Sequence, residues 1–162
     1  MMTAYAYLDT PVGLLLLAAN EDGLREIRFS NPGRRLAPRS DWQEDPAGFR
    51  EPIRQLRAYF AGELEEFEIP LAPEGTEFQQ RVWTELAKIP YGATVSYGEL
   101  ARRIGNPKAS RAVGLANGSN PIPIIIPCHR VIGSNGKLTG YGGGLPVKEK
   151  LLALEKGQLR LW

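Results

Sequence analysis

The 162-residue chain has one cysteine and one histidine. A single thiol excludes an internal disulfide, and one thiol with one imidazole cannot supply the ligand set of a structural zinc. A reducing, intracellular setting is the default expectation for such a chain, and a cytoplasmic location follows from it. Long apolar runs are also missing. Leu14 to Ala19 ("LLLLAA") falls far short of the ~20 residues that cross a bilayer. It follows Asp9 and Pro11 with no basic residue before it, so it reads as a buried strand rather than a signal segment. No targeting or membrane segment is expected.

The net charge is only +2, but it is unevenly placed. Residues 1–75 carry 8 Lys and Arg against 13 Asp and Glu, whereas residues 76–162 carry 12 against 5. A basic half can attract a polyanion, of which nucleic acid is the commonest, although many basic faces are merely solvated.

The first 30 residues read as strands punctuated by turns at Thr10-Pro11 and Asp22-Gly23. Residues 31–44 read as a loop. Asp45 and Pro46 then supply an N-cap and a first-turn proline, and Phe49, Ile53, Leu56 and Phe60 recur at helical spacing. Pro52 falls inside this pattern, and a helix beginning at Pro52 is the alternative. The acidic stretch 63–75 suggests one more short strand and a linker, with a boundary near residues 73–75.

Thr76 and Gln79 have capping-box spacing, ahead of an apolar stripe at Phe78, Val82, Leu86 and Ile89. Two short helices follow, about 97–104 and 108–117, joined by Gly105-Asn106-Pro107 as a helix-turn-helix. The run "PIIIP" leads to Cys128. Asn135-Gly136 signals a type I′ hairpin, and residues 145–157 a closing helix with Val147, Leu151 and Leu154 on one side. The expected fold class is α+β. An N-terminal domain (1–75) has an antiparallel sheet and a helix; a mainly helical C-terminal domain (76–162) has a winged-helix-like helix-turn-helix and short strands.

On the second helix of the pair, Ala109, Ala112, Val113 and Ala116 should face the core. Ser110, Arg111, Gly114, Asn117 and Gly118 are left opposite. A helix that reads base edges carries several long polar side chains, and this one has a single arginine among small residues. That face suits close approach to a groove with little sequence preference, while an ordinary helical hairpin with a surface arginine fits the pattern equally well.

Cys128 and His129 are neighbours, and adjacent side chains in a strand point to opposite faces. If they act together, the chain must bend there or something must bridge them. Pro127 should end the buried run and deliver Cys128 at its tip. A thiol nucleophile needs a base, His129 is the one imidazole available, and Glu149 or Glu155 of the last helix could orient it. A buried structural cysteine beside an exposed histidine is the alternative.

In combination, "TEFQQRVWTELAKIPYG", "SYGELARRIGNP", "SRAVGLANGSNP", "IPCHRVIGSNGKLTGYGGG" and "VKEKLLALE" resemble the O6-alkylguanine-DNA alkyltransferase family, the methylated-DNA–protein-cysteine methyltransferases, in its small bacterial form. These segments lie in family order from Thr76 to Lys156, whereas the first 75 residues match only loosely. The resemblance implies direct repair of double-stranded DNA. The helix pair enters the minor groove, the alkylated guanine (O4-alkylthymine too) is rotated out, and its alkyl group moves irreversibly to Cys128.

It further implies that His129 contacts the thiol through a water, that Glu155 holds His129, and that Tyr97 reaches guanine N3. Arg111 fills the vacated stack, and Asn120 ties the helix pair to the active-site segment. Ser110, Gly114 and Asn117 fall to the DNA face, and Val131, Tyr141, Gly142 and Gly143 to the base site. No cofactor or metal is implied, and the expected form is a monomer, with association along DNA left open. Gly142 replaces a serine of many relatives, so any contact there to O6 must come from backbone N–H. Relatives with tryptophan at the cysteine position bind lesions without transfer, so a non-catalytic alkylated-DNA-binding module is the alternative. A thiol hydrolase is a third reading.

Overall fold

The computed structural model describes residues 2–30, 36–138 and 140–158. Strands β1 (Ala4–Thr10), β2 (Gly13–Asn20) and β3 (Gly23–Phe29) form an antiparallel meander, and β4 (Gln43–Glu44) adds a short parallel edge in the order β3-β2-β1-β4. The apolar run lies in β2, where Leu15, Leu16, Leu17 and Ala18 are wholly buried. Successive strand residues face opposite sides, so four buried in sequence mean that both faces of this central strand are covered.

Asp45 caps a 3₁₀ turn (Pro46–Phe49) that runs into α1 (Arg50–Phe60). Pro52 sits in the first turn of α1, where a missing N–H costs little, so the helix need not wait for it. Leu56, Tyr59 and Phe60 are its fully buried side chains. The strand expected in the acidic stretch reduces to a single bridge between Leu71 and Leu24. Conversely, the expected loop 31–44 contributes β4, and its residues 31–35 lie outside the described part.

Helix α2 (Glu77–Leu86) carries the full Thr76–Gln79 capping box. Its buried side is Val82, Trp83 and Leu86; Phe78 is half-buried, and Ile89 is buried just beyond the helix end. Helices α3 (Tyr97–Arg103) and α4 (Ser110–Gly118) form the helix pair and pack on α2 and on each other.

The stripe on α4 is rotated from the sequence expectation: Ala112 is exposed, and Asn117 is buried with Val113 and Ala116. Polar partners set that rotation. Trp83 Nε1 donates to the Ala116 carbonyl at 2.8 Å, and the Asn117 amide approaches the Cys128 carbonyl at 3.5 Å. An alanine methyl contributes too little apolar area to override them.

Strands β5 (Val95–Ser96) and β6 (Val131–Ile132) pair in parallel, and α5 (Leu145–Glu155) closes the fold. The chain does reverse at Asn135-Gly136, but not through the expected type I′ turn: Gly136 N–H donates to the Gly133 carbonyl and Gly133 N–H to the Lys137 carbonyl, both at 2.9 Å, which closes a three-residue loop. A type I′ turn needs positive φ at both central residues; among the described non-glycine residues only Ile124 has one, and Gly136 (φ +79°) instead ends a Gly133–Gly136 turn. Helix α5 buries Lys148, Leu151, Leu152, Leu154 and Glu155, more of its circumference than one apolar stripe. The α+β class stands, and one continuous core joins the sheet, α1 and the later helices. No helix among the described residues is long and apolar enough to cross a membrane.

Candidate active site

Pro127 ends the buried run as expected, and the chain then bends. Cys128, His129 and Arg130 form a single 3₁₀ turn, with the Arg130 N–H closing on the Pro127 carbonyl at 3.0 Å. Asn120 fixes the approach to this turn. Its amide donates to the Ile126 carbonyl at 2.8 Å and also hydrogen-bonds the Cys128 side chain, while its carbonyl accepts from Ile122 N at 3.0 Å.

His129 is wholly buried, so the reading of an exposed imidazole fails. Its Nε2 lies 2.6 Å from Glu155 Oε2, which settles the choice of carboxylate; Glu149 is exposed. Glu155 also accepts from Arg130 Nε at 2.7 Å, Arg130 Nη2 at 3.0 Å and the Tyr59 hydroxyl at 2.6 Å. Burial opposes charge on Glu155, but hydrogen bonds from His129 and Arg130 outweigh it and bring the carboxyl down to about 2. Burial pushes His129 below the usual imidazole range, with Glu155 opposing. An ionised Glu155 accepts only, so Nε2 carries the proton and Nδ1 is the basic lone pair. Nδ1 is buried and has no hydrogen-bond partner among the described residues.

Burial raises the Cys128 thiol to about 11, against the smaller opposing pull of the Asn120 hydrogen bond and the Lys148 charge. The resting sulfur is therefore a protonated thiol at neutral pH, and a standing thiolate is not what this pocket holds. Lys148 is wholly buried on α5, and its Nζ donates to the Val131 carbonyl at 2.7 Å.

Cys128 lines a cavity of about 480 Å³ shared with Asn117, Asn120, Tyr141 and Gly142. The opposite wall comes from the N-terminal sheet: Ile27, Arg28 and Phe29, with Leu36. The Phe29 ring meets Tyr141 edge-on at 5.6 Å, and a Cβ on Gly143 would sit 3.1 Å from that ring, so this close approach suits a glycine. The Tyr141 hydroxyl is buried and lacks a protein partner among the described residues.

Cys128, Asn120, Asn117, Tyr141 and Gly142 thus share one cavity, with His129 and Glu155 behind the thiol. Gly143 stands beside the cavity against Phe29, and Val131 acts through its backbone carbonyl. Tyr97, Ser110, Arg111 and Gly114 lie on the helix pair, outside the cavity lining. A Cβ on Gly114 would come 3.8 Å from the Tyr97 ring, so these two pack against each other. Arg111 is exposed.

Sequence reasoning missed Tyr59, Arg130, Lys148 and Phe29. Only Lys148 carried a signal, since it stands three and seven residues before Leu151 and Glu155, on the buried side of α5.

Residues 77–157 match the family described as 6-O-methylguanine DNA methyltransferase, DNA binding domain, and residues 3–73 match its ribonuclease-like domain. A methylated-DNA–protein-cysteine methyltransferase of Methanosarcina acetivorans is 59% identical over 151 residues, covering 93% of this chain and 97% of that one. The crystal structure of Mycobacterium tuberculosis OGT in complex with DNA is 54% identical, covers 96% of this chain and 94% of its own, and superposes with a TM-score of 0.88. The O6-methylguanine-DNA methyltransferase of Pyrococcus kodakaraensis, at 23% identity and a TM-score of 0.70, shares the fold. With both halves matched and this identity over nearly the whole length, the chain belongs to the 6-O-methylguanine DNA methyltransferase family.

Proposed function

We infer that this protein reverses DNA alkylation by moving the alkyl group of O6-alkylguanine onto Cys128 in a single, irreversible turnover. The observation that carries this reading is a thiol opening into a nucleobase-sized cavity while a buried histidine–carboxylate pair stands behind it. His129 Nδ1 takes the Sγ proton through a water, and Sγ attacks the alkyl carbon. The carbon–O6 bond breaks, its electrons return to the purine, and a proton passes to the ring, leaving guanine and an S-alkylcysteine. The thioether has no leaving group for water to displace, so the protein is consumed.

Residues 76–162 bind duplex DNA, with α4 in the minor groove, while residues 1–75 supply the second wall of the cavity. The small-residue face of α4 permits close approach, and Arg111 wedges into the stack as the base leaves. Flipping costs a few kcal/mol, least where pairing is already damaged, which gives lesion preference without sequence reading. Tyr97, on the helix pair, meets the guanine edge at N3, and the Gly142 N–H faces O6. The protein works as a monomer in the cytoplasm and needs no cofactor for this chemistry.

Incubation with a duplex carrying one O6-methylguanine should add one methyl group to Cys128 per molecule, read by peptide mass spectrometry. An unmodified protein bound to an intact lesion would instead establish the non-catalytic reading.

A further inference from the structure

The acceptor oxygen of the relay is crowded. Glu155 Oε2 takes three donors: His129 Nε2 at 2.6 Å, Arg130 Nη2 at 3.0 Å and the Tyr59 hydroxyl at 2.6 Å. Two of these come from the turn that bears the thiol. The third comes from α1, 96 residues away along the chain, through a wholly buried side chain.

We propose that Tyr59 is a positioning residue of the alkyl-transfer site. Its hydroxyl competes with His129 for Glu155 Oε2 and so sets how strongly the carboxylate grips the imidazole. The proposal rests on the transferase reading above and gives the N-terminal region a part in the chemistry as well as in the cavity wall.

The geometry allows the hydroxyl one role. Phe60, Phe67 and Tyr91 surround the Tyr59 ring at 5.4, 5.4 and 6.2 Å between centroids, which fixes the position of the phenolic oxygen beside Glu155. Burial and the neighbouring carboxylate keep the phenol protonated well beyond its usual range, so it remains a donor. A hydrogen bond to a carboxylate stabilises its charge and lowers its basicity, so each added donor weakens its pull on the others. Tyr59 therefore tempers the attraction that would draw a second proton onto His129, and keeps Nδ1 available as a base. The other titratable groups around the pair are Arg130 and Cys128 in the same turn, Tyr91, Tyr141, and Lys148 on α5. Tyr59→Phe leaves all of them in place.

The chain has one histidine, so its imidazole resonances can be followed by NMR without assignment ambiguity. In the full-length protein, Tyr59→Phe should move the His129 titration midpoint upward by about half a pH unit or more, and the acid limb of the alkylation rate should move with it. Phe60→Leu is the control, because it loosens the same aromatic cluster without touching Glu155. A Tyr59→Phe protein with lowered stability but an unmoved imidazole midpoint would reduce Tyr59 to packing and overturn the proposal. If Tyr59→Phe does not fold, 3-fluorotyrosine placed at position 59 gives the reverse test. Its more acidic hydroxyl should shift the midpoint downward, and no shift would again overturn the proposal. The NMR titration needs no alkylated DNA, so a failed coupling and a failed transferase reading are separable.

Discussion

Raising the pH from 7 to 9.5 separates two ways of making sulfur reactive. Burial lifts the Cys128 thiol from 9.0 to about 11. Two pH units correspond to about 3 kcal/mol against the thiolate, and at pH 7.5 only about 3 in 10,000 molecules would carry one. If that minority reacted directly, the single-turnover rate would climb tenfold per pH unit, about 300-fold across the range. If His129 removes the proton during transfer, the rate follows neutral imidazole instead. Burial puts the imidazole midpoint below the usual 6.5, so the rate should be flat from pH 7 to 9.5 and fall only on the acid side.

The assay is rapid-quench methyl transfer from an O6-methylguanine duplex with protein in excess, read as methylated Cys128 peptide. Capture of Cys128 by a small haloacetamide without DNA should show the tenfold-per-unit slope in the same protein, since that reagent recruits no base. A unit slope in the DNA reaction as well would refute His129 as the base.

Glu155→Gln should slow transfer and lower stability by about 3–5 kcal/mol in urea titrations at pH 7, because it strands the buried Arg130 guanidinium. The folded-state value of Glu155, about 2, lies below its free value of 4.5, so its contribution is complete above pH 4.5 and is lost as the pH falls toward 2. Wild type and Glu155→Gln should therefore converge in stability in that acid window, as chemical denaturation at pH 7 and pH 3 would show. Arg111→Ala should weaken duplex binding and slow duplex repair while a free O6-alkylguanine base reacts as before; equal loss on both substrates would remove the arginine from base flipping. A Cβ on Gly142 would meet nothing within 4 Å, so Gly142→Ser should fold normally. It should slow transfer from benzyl more than from methyl adducts, measured as the ratio of the two rates.

The α+β class, the helix pair and the thiol–imidazole pair were legible because each has a local signature: the capping box at Thr76, the Gly-Asn-Pro turn, and a cysteine and a histidine with no rivals in the chain; the residues alone left the carboxylate open between Glu149 and Glu155, and the family resemblance pointed to Glu155. The rotation of α4 was not legible, since a stripe of alanines and glycines has little hydrophobic contrast and Trp83 and Cys128 set the register from outside the helix. Nor was Tyr59. In "LRAYFAG" it is one more aromatic at core spacing, and only the folded chain, which brings it within 2.6 Å of Glu155, shows that its hydroxyl has a carboxylate to meet. The ionisation of the thiol was hidden for the same reason, because it depends on how thoroughly distant segments exclude water from one atom.

A single-use acceptor faces a hazard that a recycling catalyst does not: any stray electrophile that alkylates it first, or peroxide that carries it past the sulfenic acid, disables the molecule for good. Such reagents attack thiolates far faster than thiols. By keeping its proton until a base is lodged against it, the sulfur of Cys128 is spared for the one encounter that matters, and the burial that makes it sluggish also gives it a long shelf life.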